Sequence, residues 1–253
     1  MMLTLGGFIV GFLIGMTGMG GGAFMTPYLI LVIKFNPVMA IGTDLVFASI
    51  TKIGGGIQHF RQHTAHLKAV FWLALGSLPA SRLSASYVLS NVDNQESMFV
   101  ELPAMLGIVL LLVGGLTAAR SLGWLGEVNK DPVDKWPPPL AWMALGAFGG
   151  LLVGLTSVGA GSVIIALVLI FFSVPAADLV GLDVTHGAVL AVFAAANYVV
   201  AGQVDWTSVG WLVLGSLPGA WLGARAVVHV PQRMVRGIMG GLLLLVGSTL
   251  LRK

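Results

Sequence analysis

Apolar positions dominate this chain, gathered into long runs over roughly 3–33, 38–60, 67–90, 102–119, 139–173, 177–201, 207–228 and 234–251. About 20 consecutive apolar residues cross a bilayer as a helix. The pattern therefore predicts an all-α polytopic membrane protein. Six of the runs fit one crossing each. The first and fifth are too long for an ordinary crossing, and each is interrupted by a cluster of glycines. Each is read either as one tilted, broken helix or as a hairpin that dips into the membrane and returns.

The two interruptions are copies of one another. Residues 11–22 read GFLIGMTGMGGG and residues 150–161 read GLLVGLTSVGAG. A shift of 139 residues pairs Gly15 with Gly154, Thr17 with Thr156, Gly20 with Gly159 and Gly22 with Gly161. It also pairs Gly42 and Asp44 with Gly181 and Asp183, and it lays LGSLP of 75–79 on the identical 214–218. A duplicated apolar half with a break at the same place is the pattern of a transporter built from repeats, and the breaks mark the binding region. The predicted division is an N-terminal transmembrane repeat over 1–122, a cytoplasmic linker over 123–138 and a C-terminal transmembrane repeat over 139–253. The linker runs into Pro137, Pro138 and Pro139 at its boundary with the second repeat, a run that cannot continue a helix.

Composition narrows the class. The 253 residues are 57% hydrophobic and 9% charged, which leaves no separate soluble domain. With no cysteine, disulfides, thiol chemistry and Cys-based metal sites are excluded. The apolar N-terminus lacks the basic start and cleavage site of a signal peptide, so it is expected to stay in the mature fold. The basic residues are few and sit in loops, which reads as membrane topology and not as nucleic-acid binding.

Those loops orient the chain. Arg61 and Lys68 flank one loop; Arg120, Lys130 and Lys135 mark the linker; Arg225, Arg233 and Arg236 mark a third. Asp93, Glu96 and Glu101 lie in 91–101 without a basic residue, and 202–206 has none either. By the positive-inside rule, 61–68, the linker and 225–236 are cytoplasmic, while 91–101 and 202–206 face out. The loop 61–68 corresponds by repeat to 200–207, yet the two fall on opposite sides. Inverted repeats follow, each with a glycine-broken first segment and three crossings. The alternative is four plus four spans in parallel.

Chemistry concentrates at the breaks and on the helices after them. Irregular backbone at membrane depth is tolerated where protein or a watery cavity satisfies it. Gly18, Gly20, Gly21 and Gly22, with Gly159 and Gly161, permit a turn and let a ligand approach the backbone. The helix starting near Ala23 presents free N–H groups, which favour an anion. Thr17, Thr156, Ser157 and Ser162 add hydroxyl donors. The competing reading is that small residues only let helices pack closely. Asp44, Lys52, Asp183 and His186 are ionisable groups within spans and so are functional candidates. Asp44 and Lys52 are eight residues apart and are not a direct pair. Asp183 and His186 share a helix face and form a candidate proton relay, or else a network that fixes packing. Gln58 and Asn197, repeat partners, are candidates to line the path. Arg82 either clamps an anion or snorkels outward. His59, His63 and His66 surround a basic loop, read as solvated and not as a metal site. No nucleotide-binding motif, HExxH or nucleophile–base set is present, so neither an enzyme nor a cofactor is expected.

GxxTGxGGG followed by Pro27, AIGTD at 40–44, GQVDW at 202–206 and the repeated LGSLP together resemble the TauE/SafE family over nearly the whole chain. The resemblance implies a multi-pass permease of the bacterial inner membrane that exports sulfite or an organosulfonate such as sulfoacetate. GTDL with the later Thr51-Lys52 resembles one branch of that family and brings in Thr43, Asp44 and Lys52 as site residues. The expected partners are a small anion and the lipid bilayer, with a homodimer possible and no nucleic acid. Anion import, or a non-transporting membrane partner of a sulfur-metabolism enzyme, are the alternatives.

Overall fold

The computed structural model describes every residue except 18–21, 62–65, 93–94, 124–136, 159–163, 165–167, 169–175, 227–231 and 253. Nine helices are defined among the described residues, with no strand: α1 (Met2–Thr17), α2 (Gly22–Leu31), α3 (Pro37–Arg61), α4 (Leu67–Ser90), α5 (Gln95–Ser121), α6 (Pro139–Thr156), α7 (Ala176–Val200), α8 (Trp206–Ala226) and α9 (Gln232–Leu251). They follow the apolar runs to within a few residues, except that α5 begins well before its run. Among the described residues, Met98–Ala119, Pro139–Thr156 and Gly181–Val200 are long and apolar enough to cross a bilayer by length and composition.

Local chemistry sets several of the ends. Pro139 opens α6 at a position that needs no N–H. The same helix stops at Ser157, whose φ of 59° is left-handed and whose N–H bonds the Val153 carbonyl at 2.8 Å. Asp205 caps α8, its carboxylate accepting the Ser208 N–H at 3.0 Å. Asn36 does the same for α3, accepting the Val38 N–H at 2.9 Å.

The first segment turns back on itself. The Tyr28 hydroxyl on α2 donates to the Met2 carbonyl at 2.6 Å, and its ring lies against Gly6. A straight broken helix would hold these residues far apart. The matching return limb of the second half falls largely in 159–175 and outside the described residues. So does most of the expected linker: α5 ends at Ser121, and 124–136 are not described.

The two halves interlock. The most extensive packing joins α1 to α8, α4 to α6, α5 to α9 and α3 to α7, so each pair takes one helix from each half. The α1–α8 and α4–α6 contacts are the same contact with the halves exchanged. Gly7 and Gly11 of α1 sit on the carbonyls of Leu212 and Ser216; Gly146 and Gly150 of α6 sit on those of Leu73 and Ser77. At each, a Cβ would overlap backbone, so only glycine allows the approach. α3 and α7 hold equivalent places in the two halves and run antiparallel. Gly42 lies against Gln203 and Tyr198 near one end, and Gly187 lies against Lys52 further along. α5 and α9 are antiparallel too, Gly107 meeting Gly247 and Gly240 meeting Ala118.

Phe47, Leu45, Ile41, Leu182 and Tyr198 are buried in the centre, while Leu83, Ile108, Trp211 and Leu214 point outward. The exposed large apolar side chains among the described residues fit a lipid-facing exterior.

Candidate functional site

The described residues that flank the two chain breaks meet, Gly22 on one side and Ser157 and Val158 on the other. Gly22, the first residue of α2, packs against the Ser157 carbonyl and Val158 Cα, just past the end of α6. Ser157 can take its left-handed turn there because α6 has ended, and Tyr198 of α7 steadies that end by donating to the Gly154 carbonyl at 2.7 Å.

A cavity opens beside this joint, between α3 and α7. Its polar side is formed by Lys52, Ser157, Asp183 and His186, with Gly22 and Gly187; Leu45 and Leu190 are among the apolar residues opposite. The space open to water centres is about 20 Å³, against roughly 10–15 Å³ for one water. It is thus a tight chamber that an oxyanion enters only if the walls separate. The Lys52 ammonium lies over Gly187, where a side chain would strike it. Lys52 is within electrostatic reach of Asp44, Asp183 and His186.

Asp44 lies next to this chamber with no exposure. Its Oδ2 accepts the Thr26 hydroxyl of α2 at 2.5 Å, while its Oδ1 has no hydrogen-bond partner. Ser157 Oγ stands close enough to act on the carboxyl, yet falls outside hydrogen-bonding geometry and has no partner of its own. His186, 2% exposed, is held by a 2.8 Å bond between Nε2 and the Ser77 hydroxyl of α4.

The sequence-derived candidates divide accordingly. Gly22, Lys52, Ser157, Asp183 and His186 come together at the chamber, and Asp44 sits behind Ser157. Asp183 and His186 share a helix face as expected, but no ion pair joins them; His186 is bonded to Ser77 instead. Thr43 is turned away, its hydroxyl accepting the Asp205 N–H at 3.0 Å. Residues 43 and 44 lie about 100° apart on a helix, so Asp44 facing the joint sends Thr43 toward the start of α8. The Thr156 hydroxyl serves the end of α6, donating to the Leu152 carbonyl at 2.7 Å and accepting from the Val158 N–H at 3.2 Å. Asn197 donates to the Phe193 carbonyl of its own helix at 2.9 Å. Arg82 is exposed on α4 and does not line the chamber. Gly18, Gly20, Gly21, Gly159, Gly161 and Ser162 lie outside the described residues, as do the side chains of Thr17 and Gln58. Among the described residues no His, Asp and Glu cluster suits a metal; His63 and the His59 side chain lie outside them, and His66 is exposed.

Two residues at the site were not anticipated, Thr26 and Ser77. Ser77 carries a signal, since it is the serine of the repeated LGSLP. Thr26 carries none beyond lying one turn past Gly22.

A family model described as "Sulfite exporter TauE/SafE" matches residues 3–250. A probable membrane transporter protein of Bacillus subtilis (strain 168), YjnA, is 34% identical over 98% of this chain and 98% of its own. A probable membrane transporter protein of Xylella fastidiosa (strain 9a5c) is 27% identical over 88% of this chain and 83% of its own. A second Bacillus subtilis (strain 168) protein of that description, YdhB, is 23% identical over 97% and 100%. No solved structure matches the chain.

Proposed function

This chain belongs to the sulfite exporter TauE/SafE family, and from that membership and the central chamber we propose that it exports a small sulfur oxyanion, sulfite or an organosulfonate such as sulfoacetate, across the bacterial inner membrane. The observation that carries the reading is Lys52. Its ammonium projects between α3 and α7 over a glycine, into a chamber walled by both chain breaks. The anion meets Lys52 as its counter-charge, the Ser157 hydroxyl as a donor and the N–H groups at the start of α2. Gly187 leaves the space beside the ammonium open. The hydroxyls of Thr17, Thr156 and Ser162 and the glycines of both clusters complete the proposed path.

Transport requires the chamber to open to each side in turn. Inverted repeats provide this, because exchanging the conformations of two inverted halves converts an inward-open state into an outward-open one. The antiparallel crossing of α3 and α7 and the hairpin of α1 and α2 support that arrangement. So does the loop chemistry: Gln203 lies against the N-terminal part of α3, whereas the basic loop 61–68 follows its C-terminal end. The coupling groups are drawn from Asp44, Asp183 and His186, and the coupling ion is a proton.

The test is flux in proteoliposomes loaded with labelled sulfite, sulfoacetate, sulfate and chloride in turn. Saturable sulfite or sulfonate efflux that is lost in Lys52→Gln is expected. The absence of saturable flux for every oxyanion would end this reading and leave a non-transporting membrane partner as the better account.

A further inference from the structure

We infer that the joint between the two breaks is itself a proton-binding site, with the proton on Asp44 Oδ1 and the Ser157 hydroxyl oxygen as its acceptor. Two buried polar atoms without a partner lie at this joint. Asp44 has no exposure, and Oδ1 has no partner although Oδ2 is bonded by Thr26. Ser157 is 5% exposed, lies beside Asp44 and also has no partner for Oγ. Buried polar atoms left bare are rare. A proton on Oδ1 lets the carboxyl donate to Ser157 Oγ once that side chain turns into line, while Oδ2 still accepts from Thr26. A metal cation fits less well: Asp44 is not among the residues that border the chamber.

Charge accounting points the same way. Lys52 on the same helix is the cation that acts on Asp44; Thr26 reaches it from α2 and Ser157 from the end of α6. From α7, Asp183 and His186 lie within the same reach of Lys52. From α5 and α8 no charged group among the described residues acts on it. Lys52 and Asp183 both border the chamber. The His186 ring is engaged by the Ser77 hydroxyl. One lysine thus faces two buried carboxyls, Asp44 and Asp183, so it cannot neutralise both, and burying an uncompensated charge in an apolar interior is strongly unfavourable.

The site ties the proton to the motion. Thr26 and Asp44 belong to the first half and Ser157 to the second. Separation of the breaks removes the acceptor from the proton and admits water to the carboxyl, so release is coupled to opening. This last step rests on the transporter reading; the position of the proton does not.

The experiment is infrared difference spectroscopy on purified protein in detergent, without substrate. It reads the carbonyl stretch of a protonated carboxyl group, which ionised carboxylates lack. Wild type is expected to show the band at neutral pH, Asp183→Asn to keep it, Asp44→Asn to lose it and Ser157→Ala to shift it. Asparagine reproduces the proposed bonding, its amide donating to Ser157 and accepting from Thr26, so Asp44→Asn is expected to keep the wild-type melting temperature. Should that variant not fold, Ser157→Ala and Thr26→Val decide the matter by moving the band. No band in wild type, or a band that survives in Asp44→Asn or ignores both hydroxyl variants, would overturn the inference. So would a sodium-dependent rise in melting temperature that Asp44 alone controls, with no protonated carboxyl present. Loss of flux with the band in place would instead count against the transporter reading.

Discussion

Gly22→Ala is the smallest perturbation that reaches the central joint. Gly22 begins α2, and a Cβ there would overlap the Ser157 carbonyl oxygen and come within 3.3 Å of Val158 Cα. Both obstacles are backbone, so no side chain can rotate aside; the breaks themselves must part. Overpacking of this kind costs about 1–3 kcal/mol. If the joint closes in only one part of the transport cycle, that cost becomes a shift in population. At about 1.4 kcal/mol per factor of ten, ~2 kcal/mol lowers the closed state roughly 30-fold. Flux in proteoliposomes is expected to fall by about that factor with the protein still inserted, and Gly22→Val to abolish it. Gly115→Ala is the matched control, because a Cβ at Gly115 meets nothing within 4 Å. Efflux from Gly22→Ala within twofold of Gly115→Ala, at equal insertion, would refute the joint as a working element and return the glycines to close packing alone.

Lys52→Gln shortens the side chain by one atom and removes the charge; losing a charge-assisted contact of about 1.5–3 kcal/mol is expected to weaken anion binding roughly 10- to 100-fold, measured by titration calorimetry. Ser77→Ala leaves buried His186 Nε2 without its partner; a loss of about 1–3 kcal/mol is expected in thermal unfolding in detergent, and an unchanged melting curve would contradict that bond. Topology is open to single-cysteine labelling, since the chain has no cysteine of its own. Thr64→Cys is expected to label from the cytoplasmic side and Gln203→Cys from the outside; labelling from the same side would remove the inverted arrangement.

Much of this architecture could be read from residue patterns because membranes impose them. The apolar runs had to be helices, and α4 occupies the predicted 67–90. The duplicated glycine clusters pointed to one central place, and Gly22 and Ser157 meet there. Lys52 and Asp183 are in different halves, and the opposite loop charges led to the expectation that their helices run in opposite directions. What could not be read are the hydroxyls. In an apolar helix most serines and threonines bond a carbonyl of their own helix, as Ser84 and Thr117 do. Thr26 and Ser77 reach other helices instead, and no periodicity separates the two behaviours. The same limit explains Thr43, whose neighbour Asp44 faces the joint while its own hydroxyl supports the loop before α8. The proposed Asp183–His186 relay met a related difficulty: spacing places two groups on one face, but Ser77 on α4 bonds the histidine first.

The central claim is that both breaks and Lys52 enclose one anion site. Selenite has the shape and charge of sulfite and scatters anomalously, so its position in a crystal of this protein tests the claim most directly. The account predicts one anomalous peak between Lys52 Nζ and Ser157, beside Gly187, displaced by excess sulfite and absent in Lys52→Gln. A peak confined to the basic loops, or one that survives in Lys52→Gln, would contradict it.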